Sequence, residues 1–206
     1  MTESKVTVLV ADDSPTMRRI VSGVLTGAGF DVVLAEDGVE AVQAAFRTMP
    51  DVVVLDVQMP RVSGYVAARL LKDDWQTADL PVLFLTSLNA ASDRYWGARA
   101  GAERFLTKDF EAPELVDAVL SALDSAQLAR GGRAALKADP VELSNDDVLG
   151  RVCDLLDRNL FEASVTQDVT SIAADVHGFE ETVAAVLESM ENIVDCDLVG
   201  VMLLGP

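Results

Sequence analysis

The run Val52-Val53-Val54-Leu55 is four branched or aliphatic residues in a row, ended by Asp56 and stopped at Pro60. It is too short for a helix and lacks the alternation of a half-exposed strand. A segment of this kind is a strand buried on both faces, the habit of a parallel sheet covered by helices. It therefore commits the chain to an α/β class. It also carries Asp56 to the carboxyl end of a buried strand, where open α/β sheets place their ligands. The plainer alternative for Asp56 is a polar strand terminator.

The neighbouring segments repeat the pattern. Lys5–Ala11 is an apolar run ending in Asp12-Asp13-Ser14-Pro15, and Ser14 before Pro15 opens a helix with proline at its first position. Met17, Ile20, Val21, Val24 and Leu25 recur at helical spacing up to the glycines at 27 and 29. Asp31–Ala35 is the next strand, and Asp37 and Gly38 open a helix with Val39, Val42, Ala45 and Phe46 on one face. After the strand at Val52, Ser63 caps a helix with Val66, Leu70 and Leu71 inward, and Leu80–Leu85 is a further apolar strand ending in Thr86. A helix over Ser92–Ala100, a short strand Arg104–Thr107 followed by Lys108-Asp109, and a helix Glu111–Leu128 with a stripe of Leu115, Val119, Leu120 and Leu123 complete five strand–helix pairs. Crossovers long enough for a helix imply a parallel sheet wrapped on both sides.

Parallel strands deliver their terminal residues to one edge. Here that edge receives Asp12 and Asp13, Asp56, Thr86 and Lys108. Clustered carboxylates repel one another unless they share a divalent cation, and an all-oxygen set with room for water and phosphate suits Mg²⁺. Lys108 can pair with a carboxylate at rest and with a phosphoryl oxygen when one is present, while the Thr86 hydroxyl can donate to the same oxygens. An aspartate attacks phosphorus when a metal and a cation offset the charge on the phosphoryl oxygens. Each member alone has a dull alternative: helix-capping acids at Asp12 and Asp13, a strand end at Thr86, a solvated loop charge at Lys108.

Residues 5 to about 128 resemble a two-component response-regulator receiver domain. The resemblance is carried by Val10-Ala-Asp-Asp-Ser14, Leu55-Asp-Val-Gln-Met-Pro-Arg-Val-Ser-Gly64, Leu85-Thr-Ser87, Ala100-Gly-Ala102 and Phe105-Leu-Thr-Lys108. It implies a flavodoxin-like, doubly wound, five-stranded parallel sheet of order 2-1-3-4-5. It further implies Asp56 as phosphoacceptor from a histidine kinase and Mg²⁺ held by Asp13, Asp56 and the backbone carbonyl of Gln58, with Asp12 acting through water. Lys108 and Thr86 would grip the phosphoryl group, and Phe105 would be the aromatic switch coupled to Thr86. The resulting change of the face around the strand at Arg104 would be read by a protein output partner. Asp109 stands where the family usually has proline after the lysine, often in a cis peptide. Such a domain is not an enzyme apart from its own phosphorylation and dephosphorylation. A phosphohydrolase using Asp56 would usually need an acid/base carboxylate two residues on, where this chain has Gln58.

Arg130–Pro140 breaks the alternation with glycine and proline. The organisation expected is a receiver over 1–129, a linker over 130–143 and a mainly helical segment over 144–206 ending in one strand. Ser144 and Asp147 resemble a capping box, followed by Val148, Val152, Leu155, Leu156 and Leu160 on one face. Further helices are expected over about Ser164–Val176 and Phe179–Val194, and a strand over Leu198–Leu204. This pattern resembles the front of a GAF-type sensory domain, with the chain stopping after the first strand. Either the polypeptide is the regulatory N-terminal part of a longer signalling enzyme such as a phosphatase or kinase, or its helices pair in a symmetric dimer.

Charge narrows the partners. Of 34 acidic and 16 basic residues, the first 130 positions hold 19 and 12, a net of −7; the remaining 76 hold 15 and 4, a net of −11. A nucleic-acid footprint in the second region is thereby disfavoured. No apolar stretch approaches the ~18 residues of a membrane span and no signal peptide opens the chain, so a cytoplasmic, non-membrane protein is expected. Cys153 and Cys196 lack metal or CxxC spacing and are expected as buried apolar side chains. His177, the only histidine, is expected at a helix end. Of Tyr95 and Trp96, one is expected in the core and the other is a candidate partner surface.

Overall fold

A computed structural model of the chain describes residues 5–87, 104–129 and 139–175. Five strands, β1 (Thr7–Ala11), β2 (Asp31–Ala35), β3 (Val52–Asp56), β4 (Val82–Thr86) and β5 (Arg104–Thr107), form one parallel sheet of order β2-β1-β3-β4-β5. The order switches direction between β1 and β3, the place where a doubly wound sheet opens a crevice at its carboxyl edge. β3 and β4 are buried along their whole length, whereas β2, at one edge, is covered only in part.

Local chemistry sets the helix starts. Helix α1 (Pro15–Gly27) is capped by Ser14, whose hydroxyl accepts from the Met17 N–H, with Pro15 at the first position. Asp37 caps α2 (Gly38–Thr48) by accepting from the N–H groups of Val39 and Glu40. Ser63 caps α3 (Gly64–Asp73) through the N–H of Val66. Helix α4 (Ala112–Ala129) follows β5, and α5 (Asn145–Asp175) follows the return of the chain at 139. On one side of the sheet, Val21 and Leu25 of α1 and Leu115, Val119 and Ala122 of α4 pack with Val8, Val10, Val52, Val54, Leu83 and Leu85. That sandwich makes the central strands rigid enough to hold charged groups at their ends.

Three expected faces differ from the observed ones. Ile20 and Leu120, placed by periodicity among the inward residues, are exposed, because their helices need only a narrow stripe against the sheet. The stripe on α5 is covered at Val148 and Leu155 but not at Leu156 and Leu160. Cys153, expected to be buried, is exposed on the same helix. The break expected before Ser164 is absent: Asn145–Asp175 is a single helix, and nothing in Asn159-Leu-Phe-Glu-Ala-Ser164 is a proline or glycine able to end it.

The chain divides into two units, Met1–Val152 and Cys153–Pro206. In the first, the segment after 139 returns to α2. The Val141 N–H donates to the Phe46 carbonyl at 2.9 Å, and Gln43 Nε2 donates to the Leu143 carbonyl and to Asn145 Oδ1. Arg151 donates to Asp74 at 2.7 Å and lies 4.8 Å from the Phe46 ring centroid. Ser144 and Asp147 form the expected reciprocal cap, each backbone N–H donating to the other's side chain. In the second unit only the remainder of α5 is described. The helix expected over Ser92–Ala100 with Tyr95 and Trp96, His177, Cys196, and the GAF-like elements over 179–204 lie outside the described residues.

Candidate phosphoryl and metal site

The parallel register brings the expected residues to one edge. Ala11 pairs with Leu55, Asp56 with Leu85, and Thr86 with Thr107, so Asp12, Asp56, Thr86 and Lys108 stand at neighbouring levels on β1, β3, β4 and β5. Asp12, Asp56 and Thr86 are all buried, whereas Asp13 is exposed at the rim. Carboxylate oxygens of Asp12, Asp13 and Asp56 lie within 4.8 Å of one another.

One ammonium answers this cluster. Lys108 Nζ is 2.8 Å from Asp12 Oδ2 and 2.9 Å from Asp56 Oδ2. Its backbone N–H donates to the Thr86 carbonyl at 2.9 Å, which fixes the lysine at the end of β5. Burial pushes the Asp56 carboxyl above its ordinary value, with the Asp12 charge acting the same way; Lys108 and the Gln58 N–H oppose this and do not overcome it. At Lys108 burial pulls downward, yet the two carboxylates outweigh it and hold the ammonium above its ordinary value. Among the described residues, Lys108 is the one cation paired with these three carboxylates, which leaves the site short of positive charge. A hard, all-oxygen donor set of this kind fits Mg²⁺. Gln58 is brought beside Asp56 by its N–H, with its side chain exposed.

Several residues that build the site escaped the sequence reading. Arg18, one turn into α1, donates to the carbonyls of Asp12 at 2.7 Å and Asp13 at 3.2 Å and pairs with Glu36, so it holds the acidic loop from below. The Ser14 N–H donates to Asp12 Oδ1 and orients that carboxylate. Gly64 opens α3 directly against β3: a Cβ there would overlap the Asp56 carbonyl, and the Gly64 N–H donates to the Val57 carbonyl at 3.1 Å. Gly38 meets the loop after β3 in the same way, since a Cβ would overlap the Val62 carbonyl. Arg61, in that loop and left-handed at φ 63°, pairs with the α2 cap Asp37. The signals were present as Ser63-Gly64, Asp37-Gly38 and a basic residue one turn past the acidic pair, but each acts on a residue far away in sequence.

Phe105 is partly buried on β5, with its ring 5.5 Å from that of Phe84, which in turn meets Tyr65 edge-on at 5.1 Å. No cis peptide occurs among the described residues, so Lys108 and Asp109 are joined in trans. Among the described residues no helix is long and apolar enough to cross a membrane.

Comparison with known proteins places this arrangement. The family model of the response regulator receiver domain matches residues 8–120. The protein PilH of Pseudomonas aeruginosa is 35% identical over 116 residues, 56% of this chain and 96% of PilH. The DNA-binding dual master transcriptional regulator RpaA of Synechocystis is 34% identical over 158 residues, 77% of this chain and 64% of RpaA. Several other curated relatives are covered for less than half their length, among them the probable transcriptional regulatory protein TcrX of Mycobacterium tuberculosis at 47%, 43% identical over 111 residues and 54% of this chain. Among solved structures, the chemotaxis protein CheY4 of Vibrio cholerae superposes with a TM-score of 0.56 at 31% identity, over 58% of this chain and 99% of CheY4. The response regulator domain of Thermotoga maritima CheB gives 0.53 at 30% identity, over 59% of this chain and 98% of that domain.

Proposed function

The chain belongs to the response regulator receiver family, and we propose that it is a phosphorylation-dependent switch in which Asp56 takes a phosphoryl group from a histidine kinase. The observation that carries this reading is Asp56 itself: a carboxylate buried at a strand end, 2.9 Å from the only ammonium that faces it among the described residues. An Asp56 oxygen attacks phosphorus, the bond from phosphorus to the donor imidazole breaks, and the donor ring leaves carrying the electron pair of that bond. Lys108 then exchanges a carboxylate for a phosphoryl oxygen, and Thr86 supplies a hydroxyl to another. Asp13, Asp56 and the backbone carbonyl of Gln58 would hold Mg²⁺, with Asp12 acting through water. When bound, the ion offsets charge on the phosphoryl oxygens.

The phosphoryl group adds about −1.5 to −2 charges and three acceptor oxygens where Lys108 now bridges two carboxylates. Thr86 moving toward it frees space beside β5, and Phe105 turns into that space. A protein output partner that binds this face differently in the two states receives the signal. The net of −11 over residues 131–206 supports an output that is not nucleic acid, in a cytoplasmic setting where a kinase can reach Asp56. Residues 144 onward act as a coupling and dimerisation element. A second reading, a regulatory N-terminal part of a longer signalling enzyme, is favoured by one fact: the chain spans under two thirds of the length of the first curated relatives that it matches.

The test is incubation of the full chain with Mg²⁺ and acetyl phosphate, followed by intact-mass measurement. One phosphoryl mass per chain, lost in base and absent from Asp56→Asn, is the expected result. Sustained hydrolysis of a phosphoester without a stable adduct would overturn the switch in favour of an enzyme.

A further inference from the structure

Both carboxylate oxygens of Asp12 are engaged within the chain: Oδ1 accepts from the Ser14 N–H at 2.8 Å, and Oδ2 lies 2.8 Å from Lys108 Nζ. Asp13 is placed differently. It is exposed at the rim, on the loop between β1 and α1, and an exposed loop carboxylate loses conformational freedom when it is drawn onto a cation. Arg18 restrains its backbone. One guanidinium nitrogen, Nη1, donates to the Asp12 carbonyl at 2.7 Å and to the Asp13 carbonyl at 3.2 Å, while Nη2 donates to Glu36 Oε1 at 2.8 Å, just past the end of β2.

The arginine is itself held. Val21 and Leu25, three and seven residues on, are fully buried against the sheet, so Arg18 leaves the same side of α1, and its side chain is only 12% exposed. Its planar fork of donors reaches two carbonyls and a carboxylate at once, which the point-like ammonium of a lysine cannot do with the same geometry. The loop that carries both acids is thereby tied to a helix that the core already fixes.

We propose that Arg18 is a positioning residue for the metal site: by holding the Asp12 and Asp13 carbonyls it fixes the Asp13 carboxylate where it can share a cation with Asp56. This rests on the reading of the edge as a Mg²⁺ site and adds the residue that pre-forms it. The sign of the effect separates positioning from charge. A guanidinium near a cation site repels the incoming ion, so loss of its charge alone would tighten Mg²⁺ binding. Loss of positioning weakens binding, by the factor of about 10 to 100 usual for a group that orients a metal ligand. The two effects oppose each other at Arg18, and positioning is the larger.

Titration of the full chain with Mg²⁺, read by the thermal unfolding midpoint and by the backbone amide signals around Asp13 and Asp56 in NMR spectra, tests it on Arg18→Met, Arg18→Lys and Arg19→Met. Arg19 is the adjacent, exposed arginine and controls for net charge. The Kd for Mg²⁺ should rise about tenfold or more in Arg18→Met and by less in Arg18→Lys, and should stay within about twofold of the parent in Arg19→Met. A purely structural role would lower the metal-free midpoint of Arg18→Met and leave its Kd unchanged; that result, or a tighter Kd, overturns the proposal. Equal weakening by Arg19→Met does the same. If Arg18→Met does not fold, Arg18→Lys decides: weaker binding supports positioning and unchanged binding overturns it. A parent chain with no Mg²⁺-dependent change overturns the metal reading itself, whereas a parent that binds beside an indifferent Arg18→Met overturns the positioning role alone.

Discussion

At the carboxyl edge of the sheet and along α5 the usual relation between residue and solvent is reversed, in opposite senses. Asp12 and Asp56 are ionisable groups buried among strands, while Leu156 and Leu160 are apolar groups left in water. A buried carboxylate beside one shared ammonium persists only because the surrounding sheet over-determines its position, so its cost is borne by the fold. An exposed leucine costs the fold little, and its meaning lies in what could cover it. The first irregularity speaks of chemistry at the sheet edge, and the second marks apolar surface on α5.

If that contrast holds, substitutions at the edge should change both stability and phosphorylation, and substitutions of the exposed leucines on α5 should change neither. Gly64→Ala has the largest expected effect. Its methyl group would overlap the Asp56 carbonyl, which neither α3 nor β3 can yield cheaply, so a loss of about 3 kcal/mol in denaturant unfolding is expected, with impaired phosphorylation of Asp56. Lys108→Ala comes next. It leaves two buried carboxylates facing each other, and about 2 kcal/mol should be lost in metal-free buffer, as Lys108 keeps some access to water. Leu160→Ser is at the other extreme: unfolding of the receiver, followed at low concentration, should stay within about 0.5 kcal/mol of the parent. A larger loss there would mean that the exposed stripe is structural after all.

How much of this the sequence revealed follows the same contrast. The apolar strands, the caps at Ser14, Asp37 and Ser63, and the strand-end residues Asp12, Asp56, Thr86 and Lys108 were legible because each is written locally, as a run, a cap signal or a position just past a run. The sheet then assembles them without further information, since parallel strands share one edge. Arg18, Arg61 and Gly64 were not legible as parts of the site, because their partners are carbonyls or carboxylates set by tertiary packing. Periodicity likewise put Leu120, Leu156 and Leu160 on apolar stripes, but a stripe does not say what covers it, and all three are exposed. Cys153 was misplaced for the same reason.

The shortage of positive charge at the edge gives the most direct measurement. Burial raises the Asp56 carboxyl, so the native chain holds that proton more tightly than the unfolded chain, and ionising Asp56 costs stability as pH rises past its ordinary value of 3.8. At neutral pH without metal, Asp56→Asn should therefore unfold at a higher temperature than the parent chain. Added Mg²⁺ should reverse the order: binding to the native parent contributes about 2.7 kcal/mol when the ion stands about 100-fold above its Kd. Asp56→Asn, lacking one of the three carboxylates, should gain much less. Thermal unfolding of both chains with and without Mg²⁺ decides the matter. A crossing of the two midpoints is the expected result, and an equal Mg²⁺ shift in both, or none in the parent, would contradict the assignment of this edge as a metal and phosphoryl site.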